Sequence, residues 1–291
     1  MSYSILFYFI TLSIVSNIVF PIGTNMGERF LFMPSVGFCL AISVLLWQVH
    51  QRLFDTKSNR AVPIATPIFM ALGVVLLLFS YKTITRNGAW KDNFTLFTTD
   101  IEVSKNSAKL RNGVAGILIE EGTKEKNSNR QQQYFQEAIG HLKEAINIHP
   151  TYQNAYLLMG NAHNFLRQYE TAISYYEQAL KINPNYQEAI QNLAITYRDA
   201  GRYYGQELKN PSKSIEFLLK AYAIQPNDWE TARLLGIAYG VSGQTLQAID
   251  YLEKANVLSP NNASILYNLG AAYGSVGQVE KQHNTWSRQK P

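Results

Sequence analysis

An adjacent acid and base, Glu28 and Arg29, lie in the stretch FPIGTNMGERFLFMPSVGFCL (20–40), between two apolar segments that carry no charge. Charged side chains in such a place either form a binding site or anchor helix ends at a membrane boundary. The remaining sequence has no Gly-rich phosphate loop, no His-x-x-x-His pair and no paired cysteines with metal-ligand spacing. We therefore predict no catalytic residue and no metal site in the chain.

Three long stretches without charge predict a membrane domain. A helix needs about 20 mostly apolar residues to cross a hydrocarbon core of about 30 Å, and we predict transmembrane helices at about 3–22, 31–49 and 62–81. A secretory signal is the alternative for the first stretch, but that stretch lacks a basic n-region and a small-x-small cleavage site. Residues 1–81 are thus predicted to contact the lipid bilayer.

After residue 81, two kinds of residue recur with one spacing. Prolines fall at positions 150, 184, 226 and 260, and small residues fall at positions 160, 194, 236 and 270. Both series have steps of 34, 42 and 34 residues, so they share one register and one insertion of eight residues. A period of 34 with small, aromatic and proline positions in this order resembles the tetratricopeptide repeat, in which stacked helix pairs bury a common apolar core.

The predicted fold class is all-α, with three transmembrane helices followed by a tetratricopeptide-repeat superhelix. Residues 82–107 are predicted to form a juxtamembrane helix or half-repeat. Five repeat units are predicted near 108–150, 153–184, 187–226, 229–260 and 263–291. The polar insert TKEKNSNRQQQ (123–133) in the first unit is interpreted as a mobile loop.

The first helix of each unit is expected to line the concave groove of the superhelix. The candidate groove residues are Asn154, Asn161, Asn164, Gln191, Asn192, Arg198, Arg233, Tyr267 and Asn268. An amide side chain offers both a donor and an acceptor, so it can pair with an extended peptide backbone of any sequence. Binding of a protein or peptide is one interpretation of this groove, and a merely solvated polar face is the other.

Short motifs in the first 40 residues also point to a family. They are Ser16-Asn17, Phe20-Pro21-Ile22-Gly23, Glu28-Arg29 and Pro34-Ser35-Val36-Gly37-Phe38. Together they resemble the late membrane segment of the transmembrane-and-tetratricopeptide-repeat proteins, which are protein O-glycosyltransferases of the GT-C type. The stretch WKDNFTLFTTDIEVSKNSAK (90–109) is similar to the family's join between its last span and its first repeat. The resemblance extends over essentially the whole chain, but only over the C-terminal part of the family.

This resemblance implies a role in sugar transfer. Members of the family transfer a sugar, mannose in the animal enzymes, from a polyprenyl-phosphate carrier to Ser or Thr of a protein. By resemblance, Arg29 would bind the phosphate of this donor, Glu28 would orient Arg29, and the repeats would bind the acceptor protein. The family's catalytic acid lies in an early loop that these residues do not contain, so we expect a non-catalytic part of a glycosyltransferase. The alternative is a non-enzymatic, membrane-anchored scaffold for protein–protein interaction.

The expected location also depends on the resemblance. A count of positive charges does not decide which side of the membrane the repeats face. The loop at 50–60 and the segment after the third predicted span carry equal numbers of basic residues. The resemblance implies an integral membrane protein with its repeats outside the cytoplasm, in the lumen or periplasm. It implies no cofactor beyond the sugar donor. The net charge of +5 comes without a dense run of basic residues, so we expect no nucleic-acid partner.

Overall fold

The computed structural model describes residues 5–10, 32–54 and 67–288, and the regular structure within these residues is helical. The chain divides into two compact units, Met1–Gly88 and Ala89–Pro291. The first unit contains residues 5–10 (α1), α2 (Phe32–Phe54) and α3 (Pro67–Asn87). A short 3-10 helix, Gly88–Lys91, joins α3 to the second unit.

The helices of the first unit correct the predicted membrane domain. None of the helices in the described ranges is long and apolar enough to cross a membrane. The prediction of three transmembrane helices is therefore wrong. The stretch predicted at 3–22 falls largely on residues outside the described ranges, whereas those predicted at 31–49 and 62–81 overlap α2 and α3.

The physical reason lies in the bounds of these helices. The sequence argument counted uncharged residues, but the described helix α3, Pro67–Asn87, includes the charged residues Lys82 and Arg86. Its uncharged part, Pro67–Tyr81, rises about 22 Å at 1.5 Å per residue, which is shorter than a hydrocarbon core of about 30 Å. The part of α2 before His50, residues 32–49, rises about 27 Å before the helix continues into the polar sequence HQR.

The second unit is an array of helix pairs preceded by the single helix α4 (Asn93–Val103). The pairs are α5 (Ala108–Lys124) with α6 (Ser128–Ile148), α7 (Gln153–Phe165) with α8 (Tyr169–Ile182), α9 (Gln187–Gln206) with α10 (Pro211–Ile224), α11 (Trp229–Val241) with α12 (Thr245–Leu258), and α13 (Ala263–Ser275) with α14 (Val279–Ser287). Each first helix packs against its own partner and against the neighbouring first helices. The all-α repeat array predicted from the sequence is therefore confirmed.

Side-chain caps begin several of these helices, at places where Ser, Asn or Asp precedes an apolar run. The Asp92 carboxylate accepts a hydrogen bond from the backbone N–H of Thr95 at 2.7 Å and caps α4. Asn210 caps α10 in the same way, and Pro211 follows at the start of that helix. Such caps satisfy N–H groups that have no partner within the helix, and each contributes about 1 kcal/mol.

Glycine allows the two helices of a pair to approach closely. A Cβ atom built on Gly160 would lie 2.4 Å from Cε1 of Tyr176, and one built on Gly236 would lie 2.4 Å from Cγ of Leu252. Both partner side chains are only 1% exposed. At the point where the two helices of a pair cross, a large side chain of the second helix therefore packs directly against a glycine of the first helix.

The third pair has a different crossing because its first helix is longer. Helix α9 has 20 residues, whereas α7, α11 and α13 have 13 each. Its closest approach lies at Gly201, where a built Cβ atom would lie 2.5 Å from Cγ of Leu218. Ala194 matches Gly160 in the repeat register, but the crossing that requires glycine has moved along the helix.

The insert predicted as a mobile loop is mostly helical. Helix α5 continues to Lys124 and α6 begins at Ser128, so only three residues of TKEKNSNRQQQ lie between helices. The Glu125 carboxylate accepts from the N–H groups of Lys126 and Asn127 at 2.8 and 3.0 Å, and Asn127 then caps α6. The loop prediction is wrong because local side-chain hydrogen bonds complete a tight turn within this polar sequence.

Close packing at the crossing glycines predicts that two glycine-to-alanine substitutions have opposite effects on the free energy of unfolding. We expect Gly236→Ala to lower the free energy of unfolding by about 1–3 kcal/mol, because the new methyl group overpacks against Leu252. Gly140 of α6 has no atom within 4 Å of a built Cβ, so Gly140→Ala should raise the free energy of unfolding by up to about 1 kcal/mol through helix propensity. Urea unfolding followed by far-UV circular dichroism measures both. Equal stability of the two variants would contradict the packing argument.

Candidate functional site

Two of the predicted groove residues are bonded to each other across neighbouring repeats. The amide of Asn192 on α9 donates to Oδ1 of Asn161 on α7 at 2.9 Å, and the Tyr176 hydroxyl donates to the same oxygen at 2.8 Å. Burial raises the pKa of Tyr176 well above its usual range, so the hydroxyl remains a donor. The Asn161 amide N–H and the Asn192 carbonyl oxygen have no partner among the described residues. One donor group and one acceptor group therefore remain for a ligand.

The other predicted amides differ in how much of their hydrogen-bonding capacity the fold uses. The Asn154 oxygen accepts from the Tyr186 hydroxyl at 3.0 Å, whereas the buried Oδ1 of Asn164 has no partner in the described part of the chain. Gln191 is exposed. Asn268 donates to its own helix, to the carbonyl oxygen of Ser264 at 2.7 Å. The structure therefore spreads these amides over three helices, and it brings only Asn161 and Asn192 into direct contact.

The two predicted arginines are held by carboxylates of the array itself. Arg198 donates to Oδ2 of Asp228 at 3.0 Å, a bond that joins α9 to the start of α11. Arg233 forms a bidentate ion pair with Glu230, in which Nε donates to Oε2 at 2.9 Å and Nη2 donates to Oε1 at 2.7 Å. It also donates to the Ser264 hydroxyl at 3.2 Å. These guanidinium groups stabilise the packing of the helices. They are not free positive charges for a ligand.

The predicted groove also contains exposed apolar surface. Tyr267 on α13 is 63% exposed, and Val241 at the end of α11 is 73% exposed. Residues of this kind are available to a partner without any rearrangement of the core. Tyr267 was predicted as a groove residue, whereas Val241 was missed because the sequence argument selected polar side chains.

A trough along the first helices was not predicted from the sequence. A cavity of about 290 Å³ lies between α11, α12 and α13, and Asn268 is part of its lining. A smaller cavity of about 50 Å³ lies between α9, α10 and α11. Ile237 and Val241 line both cavities, so the two adjoin on either side of these side chains, and we call the two cavities together the trough.

Small residues create the space in the trough. Its lining on the first helices includes Gly236, Gly240, Ala271, Ala272 and Ser275. A helix surface without large side chains leaves room between neighbouring helices, and Ile237 and Val241 then supply its apolar wall. This run of small residues was the signal in the sequence that could have indicated the trough.

The donor-phosphate site suggested by the sequence cannot be placed in the same way. Glu28 and Arg29 lie outside the described residues, so their assignment stays a prediction. Within the described ranges, no group of three or more His, Cys, Asp and Glu side chains is arranged to hold a metal ion. The candidate site of the second unit is therefore a binding surface of amides, ion pairs and apolar side chains.

The ion pair between α9 and α11 predicts a dependence of stability on pH. Burial alone would raise the pKa of Asp228, but hydrogen bonds from Thr231 and Arg198 outweigh burial and hold the pKa below its usual value. A carboxylate with a lowered folded pKa stabilises the fold above its unfolded pKa of about 3.9, and this contribution disappears as the pH falls through the folded pKa.

We therefore expect the wild-type chain to lose stability below about pH 4. Asp228→Asn keeps a side chain that caps α11 equally well but removes the charge. This variant should be less stable by about 1–3 kcal/mol at pH 7 and should lose less stability than the wild type below pH 4. Urea unfolding at a series of pH values measures both effects. Identical pH profiles would show that the pair contributes nothing.

Comparison with known proteins identifies the repeats in part of the array. A sequence model of the family described as "Tetratricopeptide repeat" matches residues 154–186, and a second model with the same description matches residues 175–207. The crystal structure of YrrB, described as "a TPR protein with an unusual peptide-binding site", has a TM-score of 0.46 and 20% identity, covering 66% of this chain and 90% of that one.

Two curated relatives show how much of the chain has similarity to known proteins. The protein O-mannosyl-transferase Tmtc3 of Drosophila melanogaster is 31% identical over 156 residues, which is 53% of this chain and 15% of the relative. The protein O-mannosyl-transferase TMTC3 of Homo sapiens is 32% identical over 141 residues, which is 48% of this chain and 14% of the relative. The chain thus covers only a small part of the length of these proteins. It contains tetratricopeptide repeats, and over about half its length, in the repeat portion, it is similar to the TMTC protein O-mannosyl-transferases, which is less than the whole-chain resemblance expected from the sequence.

Proposed function

We propose that the repeat array binds an extended segment of polypeptide along the trough, and that this segment belongs to a protein that accepts a sugar. The observation that carries the proposal is the pair of adjoining cavities, which have Ile237 and Val241 in common and extend from α9 past α11 to α13. The names of the relatives, which are protein O-mannosyl-transferases, support an acceptor protein as the occupant. The tetratricopeptide-repeat fold itself supports binding of a protein or peptide.

The chemistry of the trough suits a peptide backbone. An extended strand presents N–H and C=O groups in alternation, and each of these needs a partner when it leaves water. The unused amide N–H of Asn161 and the unused oxygen of Asn192 supply one donor and one acceptor on the first helices α7 and α9, and Asn268 supplies an amide within the trough itself. Because backbone groups are the same in every residue, such contacts tolerate many peptide sequences.

The apolar wall of the trough would add affinity for a peptide that carries no charge. Ile237 and Val241 would bury apolar side chains of the peptide, at roughly 25 cal/mol for each Å² removed from water. The arginines near the groove are already paired with Asp228 and Glu230, so a strongly acidic segment has no advantage. The preferred partner is therefore an uncharged, extended segment with small or apolar side chains.

This proposal assigns binding, not sugar transfer, to the described residues. On the family resemblance, the donor is a polyprenyl-phosphate sugar, and its candidate contacts are Glu28 and Arg29. The trough residues would hold the acceptor in an extended conformation, so that a hydroxyl of Ser or Thr is accessible to a separate catalytic centre. Holding a reactant in place contributes to a reaction by proximity.

A pair of matched substitutions tests the trough. Random 12-residue linear peptides displayed on phage are selected on the full chain, and the enriched peptides are titrated by fluorescence anisotropy. Val241→Lys places a charge in the apolar wall at a position that is 73% exposed, so the fold should tolerate it. We expect peptide binding to weaken at least about tenfold, because the lysine must be desolvated when a peptide covers it.

Val257→Lys is the control. Val257 is 77% exposed on α12 and lines a different cavity, so the same change in chemistry occurs away from the trough. It should leave peptide affinity unchanged. If no peptide is enriched, or if the two lysine variants bind enriched peptides equally, the array does not bind polypeptide in the trough.

A further inference from the structure

A polar cavity of about 330 Å³ lies next to the trough, between the α7–α8 turn and the last turns of α9. Arg202 and Gln206 line both this polar cavity and the smaller cavity of the trough, so the two cavities adjoin at these side chains. A volume of this size lies at the lower end of the roughly 300–1,000 Å³ range of small-molecule sites. The polar cavity therefore has room for one compact group beside a bound peptide.

The charged side chains that line the polar cavity neutralise one another. Arg167 and Glu207 form an ion pair at 3.3 Å, although 40 positions separate them in the sequence. Arg202 pairs with Asp199 on the same helix. Two cations and two anions leave the lining without net charge. A free anion would meet the carboxylates and a free cation would meet the guanidinium groups, so neither is favoured.

The uncharged polar groups of the polar cavity are unused. The hydroxyl groups of Tyr169 and Tyr203 and the side-chain amide of Gln206 have no hydrogen-bond partner within the described part of the chain. The two tyrosine rings lie 5.6 Å apart at an angle of 53°. Burial, and after it the charge of Asp199, raises the pKa of Tyr169, so its hydroxyl remains protonated. These groups offer donors, acceptors and aromatic surface together.

The backbone holds Arg167 directly after the C-cap of α7, at the edge of the polar cavity. Arg167 adopts a left-handed conformation with φ of 57°, which is unfavourable for a residue that carries a Cβ atom. The equivalent turns of the fourth and fifth pairs use Gly243 and Gly277, with φ of 81° and 74°. Glycine would relieve the strain at position 167, but it would remove the guanidinium group from the polar cavity. Retained strain of this kind is common at binding sites.

From these observations we infer that the polar cavity binds a neutral monosaccharide unit carried by the polypeptide in the trough. The inference rests on the proposed function, because the trough supplies the peptide to which the sugar is attached. A sugar ring offers hydroxyl groups that both donate and accept, and these match the free phenol and amide groups. Its apolar face can pack against the tyrosine rings. The array would then recognise acceptor segments that already carry a sugar.

The experiment uses methyl α-D-mannopyranoside as the probe and the full chain as the receptor, observed by saturation-transfer difference NMR. Tyr203→Phe removes one hydroxyl and keeps the ring. Arg167→Gly removes the guanidinium group and matches the glycines of the equivalent turns. We expect either substitution to reduce the saturation-transfer signal at least fivefold, while circular dichroism shows an intact helical fold.

Two controls separate this inference from the proposed function. Lys209→Gly relieves the same kind of strain, at φ of 51°, but Lys209 does not line the polar cavity. This variant should keep the full sugar signal. Val241→Lys should also keep the sugar signal even though it weakens peptide binding, since Val241 lines only the trough.

The outcomes are distinct. A sugar signal that Tyr203→Phe and Arg167→Gly abolish and the two controls keep would support the inference. Absence of a sugar signal with the wild-type chain would overturn it, even if peptides bind in the trough. Displacement of the sugar by inorganic phosphate would also overturn it, because the polar cavity would then be an anion site.

Discussion

No helix pair of this array can bury its apolar surface alone, so the contacts between neighbouring pairs determine the fold. The apolar core reflects this constraint. One cluster combines Val114 and Phe135 of the first pair with Met159 of the second, and another combines Tyr176 of the second pair with Leu193 of the third. Each pair is thus stable only as part of a stack, and the position of every first helix is fixed by the pair before it.

This constraint explains why polar side chains at the groove have two roles. The bonds between Asn161 and Asn192 and between Arg198 and Asp228 each join neighbouring pairs, so they contribute to the stack before any ligand is bound. An amide can do this and still offer a free donor or acceptor, whereas Arg198 and Arg233 use their guanidinium groups within the array and offer less to a peptide. The amides are therefore better candidates for ligand contacts than the arginines.

Much of the array was predictable because its signals are local and periodic. The proline and small-residue series, with steps of 34, 42 and 34 residues, indicated stacked helix pairs with one insertion, and small residues marked the crossings at Gly160 and Gly236. The crossing at Gly201 was not predictable, since it depends on how the lengthened α9 packs against α10. The membrane helices were wrong for a related reason, because a count of uncharged residues does not give the bounds of a helix. The trough and the polar cavity depend on side chains from separate pairs, which a single sequence does not place together.

The unequal length of α9 has a consequence for selectivity. In a stack of identical units, a bound strand can shift by one unit and meet the same contacts again, so several alignments are equally populated. The seven additional residues of α9 relative to its neighbours make one position in the stack unlike the others. Only one alignment then places a given residue of the strand beside the last turns of this helix. The greater length of α9 can therefore restrict a strand bound to this repetitive surface to a single alignment.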